Sequence, residues 1–232
     1  MTSLIYCPLD MPRPPEVDRT KMITWVEKWY SNCFYTKTNI YGETVAEGYP
    51  WKVGQPFRDP TDGVEPSDVE LALRNEFIEM FPELSEYLKT AFPLKFTGAT
   101  ILLQQQSTDV VGHTDSDYMW APRCYLWNDY QEEALWFRWP NDPAENVKFN
   151  TLIKNNDYSN YKDPVYAKFP NHQYQPFAFN SAKSIHGVDG CGKQNASRCT
   201  VIIRGAFDVT RWNELLARSY IKYKDYAIWR AS

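Results

Sequence analysis

From Lys95 onward the chain becomes a succession of short apolar runs separated by turn residues, and this pattern most limits the folds open to it. "KFTGATILLQQQ", "RCYLWND", "ALWFRW", "PVYAKF", "PFAFN", "KSIHGV" and "SRCTVIIRGAF" each have the length and the β-branched or aromatic content of a strand. Seven or eight such strands must bury their apolar faces against a second layer, which predicts a β-sandwich or jelly-roll barrel. Helical patterns lie outside this block, so the expected class is α+β, with helices buttressing a β-rich core.

The helical support is legible in its caps and spacing. Asp18 is placed to cap a helix running to about Cys33, in which Met22, Val26, Trp29 and Cys33, with Ile23 and Tyr30 beside them, fall on one face. Residues 34–66 are rich in Gly, Pro and Thr and read as loop with short strands. Ser67 to Glu70 is a capping box, opening a helix that carries Leu73, Phe77 and Ile78, and "PELSEYLKTAF" follows as a further helical segment. Asp208 or Thr210 caps a terminal helix containing Trp212, Leu215, Leu216 and Tyr220. The expected organisation is one domain, with residues 1–94 as a helical N-terminal support, 95–208 as the β-rich core and 209–232 as a C-terminal helix.

Composition excludes several classes. At 232 residues and 43% hydrophobic content the chain can bury a sizeable core, so disorder is not expected. Its formal charge is −4 and it has no dense Lys/Arg run, so nucleic acid is not an expected partner. Five scattered cysteines without a CxxC argue for free thiols in a reducing compartment, and no signal peptide or transmembrane span is recognisable. A cytoplasmic protein without membrane contact is the expectation; oligomeric state is not readable.

The chemistry is concentrated around "VVGHTDSDYMW". His113 and Asp115 are two residues apart at the end of a strand-like run, so both point to the same side. They suit an ion pair, a general acid/base couple or two ligands of one metal. His172, in "FPNHQYQP", reads as an ordinary surface histidine. His186, in "SIHGVDG", ends another strand-like run and adds a second imidazole. Two imidazoles and a carboxylate on one face of an octahedral ion leave positions for other ligands, as in non-haem Fe(II) sites. Arg198 lies twelve residues beyond His186, enough for a turn and a return strand, and Thr200 shares its face. A guanidinium fork beside a hydroxyl is a receptor for a carboxylate. A plain ion pair of Arg198 with Asp189 or Asp208 is the competing reading.

Across roughly Phe96 to Asp208, about half the chain, these motifs resemble the Fe(II)- and 2-oxoglutarate-dependent oxygenase superfamily. "GHTD", "RCYLWND", "EEALWF", "PFAFNSAKSIHGV" and "SRCTVIIRG" stand in that family's order. The resemblance implies a double-stranded β-helix, Fe(II) held by His113, Asp115 and His186 as the catalytic centre, and 2-oxoglutarate bound through Arg198 with Thr200 assisting. It further implies O2 as co-reactant, support of activity by ascorbate, and release of succinate and CO2.

Arg123, ten residues after His113, is similar to an arginine in the aspartyl/asparaginyl β-hydroxylase branch, which includes free-proline hydroxylases, where it helps hold the cosubstrate or a substrate carboxylate. The protein β-hydroxylases lack the triad carboxylate, whereas Asp115 is present here. Arg198 and Arg204 bracket "CTVII" in an R-x5-R pattern similar to that of AlkB-like nucleic-acid demethylases, which keeps that branch open. A noncatalytic cupin-like metal-binding module is the remaining alternative. Halogenation is disfavoured, because Asp115 fills the place a halide needs.

Further residues are candidates for a small-molecule or peptide substrate at the mouth. Arg138 offers a guanidinium to a carboxylate, and Trp120 and Tyr118 lie close to the metal motif in sequence. The Asn-rich stretch 140–162 reads as a surface lid.

Overall fold

The computed structural model describes residues 3–30, 51–54, 67–104, 109–115, 120–130, 134–142, 145, 147–148, 151–153, 157–170, 174–181, 183–190 and 196–230. Cys33, Tyr118 and His172 lie outside them, so the readings placed on these residues have no structural counterpart here.

Eleven strands and four helices follow one another in these residues: β1 (Ser3–Pro8), α1 (Arg19–Tyr30), β2 (Trp51–Gly54), α2 (Asp68–Met80), α3 (Pro82–Thr90), β3 (Leu94–Gln104), β4 (Val110–His113), β5 (Trp120–Asn128), β6 (Leu135–Arg138), β7 (Val165–Tyr166), β8 (Phe177–Asn180), β9 (Ile185–Val188), β10 (Arg198–Phe207), α4 (Val209–Tyr223) and β11 (Ile228–Arg230). All the strand pairs are antiparallel, in a seven-stranded sheet of order β11-β1-β8-β5-β10-β3-β2 and a four-stranded sheet of order β4-β9-β6-β7. From β3 to β10 the chain shuttles between the sheets, so that β3, β5, β8 and β10 form the heart of the large sheet and β4, β6, β7 and β9 the small one. That is the strand order of a double-stranded β-helix, and the expected jelly-roll class is the observed one.

Alternation along each strand decides which layer a side chain enters. On β10, Cys199, Val201 and Ile203 face the helices, joining Met22, Trp25, Val26, Leu73, Phe77, Leu84, Leu88, Trp212 and Leu215 in the larger core. Arg198, Thr200 and Ile202 face the other way, into the space between the sheets. There Tyr6, Tyr125, Phe137, Phe169, Phe177 and Phe179 build an aromatic inter-sheet core.

The helices begin where the caps indicate. The Asp18 carboxylate accepts from the Lys21 amide, Ser67 and Glu70 form the reciprocal capping box, and Asp208 caps α4 through the Arg211 amide. In α1 the buried face is Met22, Trp25, Val26 and Trp29, at helical spacing. In α4, Tyr223 rather than Tyr220 is buried; Tyr220 instead meets Trp229 of β11 edge-on.

Two departures concern the ends of the large sheet. The N-terminal region is not only helical: β1 extends the sheet beyond β8, and β11 adds a strand outside it. A third departure is the 140–162 stretch. Thr151 and Ile153 exchange backbone hydrogen bonds with Thr114 and Gly112, Leu152 bridges His113, and Tyr161 bridges Pro140. Ile153 is buried with Trp136 and Ile185, against which Tyr158, Tyr161 and Tyr166 pack. The described part of the stretch therefore forms a third small core on the outer face of the small sheet rather than a loose cover.

Candidate metal and carboxylate site

The two histidines are brought together by strand register. His113 at the end of β4 stands directly opposite His186 on β9, with ring centroids 4.3 Å apart. Cross-strand partners share a face, and Asp115, two residues past His113, reaches the same point. Asp115 Oδ1 is 4.0 Å from His113 Nε2 and 3.8 Å from His186 Nε2. The three candidate ligand atoms all lie within 4.8 Å of one another.

The donor chemistry fits a divalent transition metal. His113 Nδ1 lies 2.8 Å from the Val111 carbonyl oxygen, which selects the Nδ1–H tautomer and turns Nε2 toward Asp115. Burial, reinforced by His113, holds the His186 pKa well below the ordinary imidazole value, which keeps a lone pair on the ring. Burial pushes the Asp115 carboxyl up, but Arg123 and then the two imidazoles outweigh it, so the group stays well below the usual carboxylate range.

Arg123 does not reach toward Arg198 and Thr200. Its Nη2 donates to Asp115 Oδ2 at 2.7 Å, and its guanidinium lies 3.7 Å above the Phe179 ring. Arg123 lines the same cavity as Arg198, and there it hydrogen-bonds the Asp115 carboxylate. β5 passes beside β8 at this level, with Arg123 paired to Phe177, which leaves the side chain short of the far end of the cavity.

That far end belongs to Arg198. Its start-of-strand position on β10 is opposite Asn128 of β5, whereas Ile202 is opposite Arg123. Four residues of strand, roughly 13 Å, separate the two levels. Arg198 is 3% exposed; it donates to the Tyr125 hydroxyl at 3.4 Å and to Gln104 Oε1, and it lies 5.5 Å from each of the Tyr125 and Tyr130 ring centroids. These acceptors are neutral. Among the described residues, its Nε and the buried Thr200 Oγ1 have no hydrogen-bond partner. The two ion-pair partners suggested by the sequence are engaged elsewhere: Asp189 accepts from Trp136 Nε1 and the Tyr166 hydroxyl, both at 2.8 Å, and Asp208 caps α4.

Between the two ends lies a cavity of about 110 Å³, several times what one water needs. Leu102, Val110, Leu135, Phe177, Phe179 and Val188 supply its apolar wall, and His113, Asp115, Arg123, His186, Arg198 and Thr200 its polar groups. A mostly apolar chamber with a few convergent polar groups is the usual form of a small-molecule site.

Other predicted site residues are elsewhere. Arg138 alternates with Phe137 and emerges on the outer face of β6, where Nη1 donates to the Lys162 carbonyl and the guanidinium lies 4.4 Å from the Tyr158 ring centroid. Trp120 packs toward the helices against Trp212, with centroids 6.5 Å apart. Neither lines the cavity. Arg204 shares the cavity-facing parity of β10 and is an electrostatic neighbour of Arg123, but it too is outside the lining. Sequence reasoning missed Tyr125, Gln104 and Phe179. Tyr125 was accessible, since it shares a strand face with Arg123; Gln104 becomes visible only once β3 pairs with β10 at Arg198.

No family model matches the sequence, and no curated protein matches it either. Solved structures similar to it include a prolyl hydroxylase from Trichoplax adhaerens in complex with a hypoxia-inducible-factor peptide fragment, at 12% identity and TM-score 0.35, covering 84% of this chain and 80% of that one. HygX from Streptomyces hygroscopicus, with nickel and 2-oxoglutarate bound, aligns at 13% identity and TM-score 0.33 over 83% and 88% of the two chains. The carbocyclase SnoK of nogalamycin biosynthesis aligns at 12% identity and TM-score 0.40 over 87% and 78%. The resemblance holds at the level of the fold. It is the strand order, rather than these distant alignments, that establishes it.

Proposed function

We propose that the chain is a single-domain Fe(II)- and 2-oxoglutarate-dependent oxygenase that hydroxylates an amino-acid or peptide side chain. The observation that carries this reading is the pairing of two unlike ends in one buried chamber. One end converges two imidazoles and a carboxylate; the other presents a buried guanidinium with neutral partners beside an unpartnered hydroxyl. Among the described residues no carboxylate pairs with Arg198, and a buried charge without a counter-charge is costly, so such a constellation favours an anionic ligand. A zinc hydrolase would use the first end but has no need of the second.

In this reading His113, Asp115 and His186 hold the metal. Iron and 2-oxoglutarate together supply oxidative decarboxylation, with succinate and CO2 as products. The chain's own contribution is binding, orientation and exclusion of water. Arg198 and Thr200 take the distal carboxylate of the cosubstrate, since a charge-assisted fork plus a hydroxyl satisfies both of its oxygens. Tyr125 and Gln104 hold the guanidinium in place, and the Phe177, Phe179, Leu135 and Val188 walls keep the chamber apolar. The acidic balance of the chain disfavours a polyanionic substrate.

The test is an assay with iron, ascorbate and 2-oxoglutarate against pools of free amino acids and peptides, scored by succinate and by a product one oxygen atom heavier. Methylated oligonucleotides run in parallel should be neither bound nor demethylated. Repair of the oligonucleotides with no change in the amino-acid and peptide pools would instead assign the chain to the AlkB-like reading, with Arg204 as a functional residue.

A further inference from the structure

Asp115 is held asymmetrically. Oδ2 accepts from Arg123 Nη2 at 2.7 Å, while Oδ1 is the oxygen 3.8–4.0 Å from both imidazole Nε2 atoms. Arg123 in turn packs on an aromatic ring: its guanidinium lies 3.7 Å from the Phe179 centroid, and the His186 ring is a further neighbour of Phe179, with centroids 4.4 Å apart. Arg123, Phe179, His186 and His113 thus form a continuous packed column, in which one phenyl ring orients both the partner of Asp115 and one of the imidazoles. Phe179 is itself fixed by Phe137 and Phe177 in the inter-sheet core.

From this geometry we infer that Arg123 is a positioning residue that confines Asp115 to ligation through Oδ1 alone. A free carboxylate beside a divalent ion can offer both oxygens. With Oδ2 committed to a buried, stacked guanidinium, only one is available, and the coordination position that a second carboxylate oxygen would occupy stays open for the cosubstrate or oxygen. The inference rests on the metal-binding reading above and adds a specific role that reading does not require. It also separates the two buried arginines: Arg198 is the carboxylate receptor, and Arg123 acts through Asp115.

Co(II), whose absorption intensity reports coordination number, is the probe, titrated into metal-free wild type, Arg123→Gln and Arg123→Lys before any 2-oxoglutarate is added. Wild type should bind one Co(II). Arg123→Gln should retain Co(II) but show an altered ligand-field spectrum, and its 2-oxoglutarate affinity should fall roughly ten- to hundredfold, the scale associated with loss of a partner that orients a metal ligand. Arg123→Lys should lie between the two, because it keeps the charge and loses the planar fork. A Co(II) spectrum identical to wild type in Arg123→Gln overturns the proposal, whether or not 2-oxoglutarate affinity falls; a fall alone would make Arg123 a direct cosubstrate contact. If circular dichroism shows Arg123→Gln to be unfolded, the same spectra are read on Phe179→Leu, where an unchanged spectrum is again contrary. Absence of Co(II) binding by wild type would count against the metal-site reading instead, a separate result.

Discussion

On the inner face of the small sheet, His113 and His186 stand opposite each other above a cavity; on its outer face their neighbours Gly112 and Gly187 lie beneath the Trp136 indole. Both faces carry aromatic rings, an arginine and an aspartate, and they differ in how their polar groups are met. Outside, Trp136 Nε1 reaches Asp189, the Tyr158 hydroxyl accepts from the Gly112 amide, and Arg138 Nη1 donates to Lys162, although its Nε is unbonded. Inside, His186 Nδ1, Arg198 Nε and Thr200 Oγ1 are buried without hydrogen-bond partners among the described residues. Buried polar atoms in native proteins are nearly always hydrogen-bonded, so three such atoms on residues lining one chamber are what a bound ligand could satisfy. The outer face is a splint: Trp136 spans the two strands that carry the imidazoles, and a Cβ at Gly112 would come within 2.8 Å of its ring.

The largest effect that sharpens this contrast is on metal affinity. His186→Ala or Asp115→Ala should lower Fe(II) affinity by more than about a hundredfold by calorimetry, beyond what loss of a supporting contact costs. Trp136→Leu, on the outer face of the same strands, should cost less than about tenfold on the same scale. Equal losses from both faces would erase the distinction between site and splint.

Next comes the pair of arginines. Removing the charge-assisted contact of Arg198 should cost about 2–4 kcal/mol in 2-oxoglutarate binding, at least about tenfold in affinity. Arg138→Ala should leave that affinity unchanged within about twofold, since surface changes away from a site are usually within about half a kcal/mol.

Stability effects are smaller and reverse the order of the faces. Gly187→Ala forces a methyl into the Trp136 ring and should destabilise the fold by about 1–3 kcal/mol. For a chain of this size that lowers Tm by roughly 2–4 °C per kcal/mol. Adding Trp136→Leu should recover part of the loss, by making room for the methyl. Tyr158→Phe, which deletes only the hydroxyl that meets the Gly112 amide, should cost about 1 kcal/mol. Thermal unfolding of the four proteins separates these outcomes.

Much of this was legible in the sequence because short-range physics controls it. The strand runs that begin at Lys95, the Ser67–Glu70 box and the Asp208 cap are local patterns, and the structure has β3 starting at Leu94, the box and the cap. His113 and Asp115 share a side through local alternation, whereas His186 comes opposite His113 only through the long-range pairing of β4 with β9. What escaped depends on partners distant in the chain. β1 and β11 lie at opposite ends of the chain and join the large sheet by pairing with each other and, for β1, with β8. Arg138, a candidate for its guanidinium, and Trp120, a candidate for its nearness to the metal motif, are turned from the chamber by strand parity, the one to the outer face of the small sheet and the other toward the helices. Alternation alone could have separated Arg138 from Phe137; which face held the chamber could not be read, because both faces of the small sheet are covered. The 140–162 stretch reads as polar enough for a lid, yet its Ile153, Tyr158 and Tyr161, together with Trp136 of β6, Tyr166 of β7 and Ile185 of β9, are sufficient for a small core.

The most direct test of the central claim is calorimetric titration of 2-oxoglutarate, without oxygen, into metal-free and Fe(II)-loaded protein. If one chamber joins a metal end to a carboxylate receptor, one equivalent should bind tightly only to the loaded protein, and either His186→Ala or Arg198→Ala should weaken it at least about tenfold. Binding that is indifferent to iron, or that survives Arg198→Ala unchanged, would contradict it.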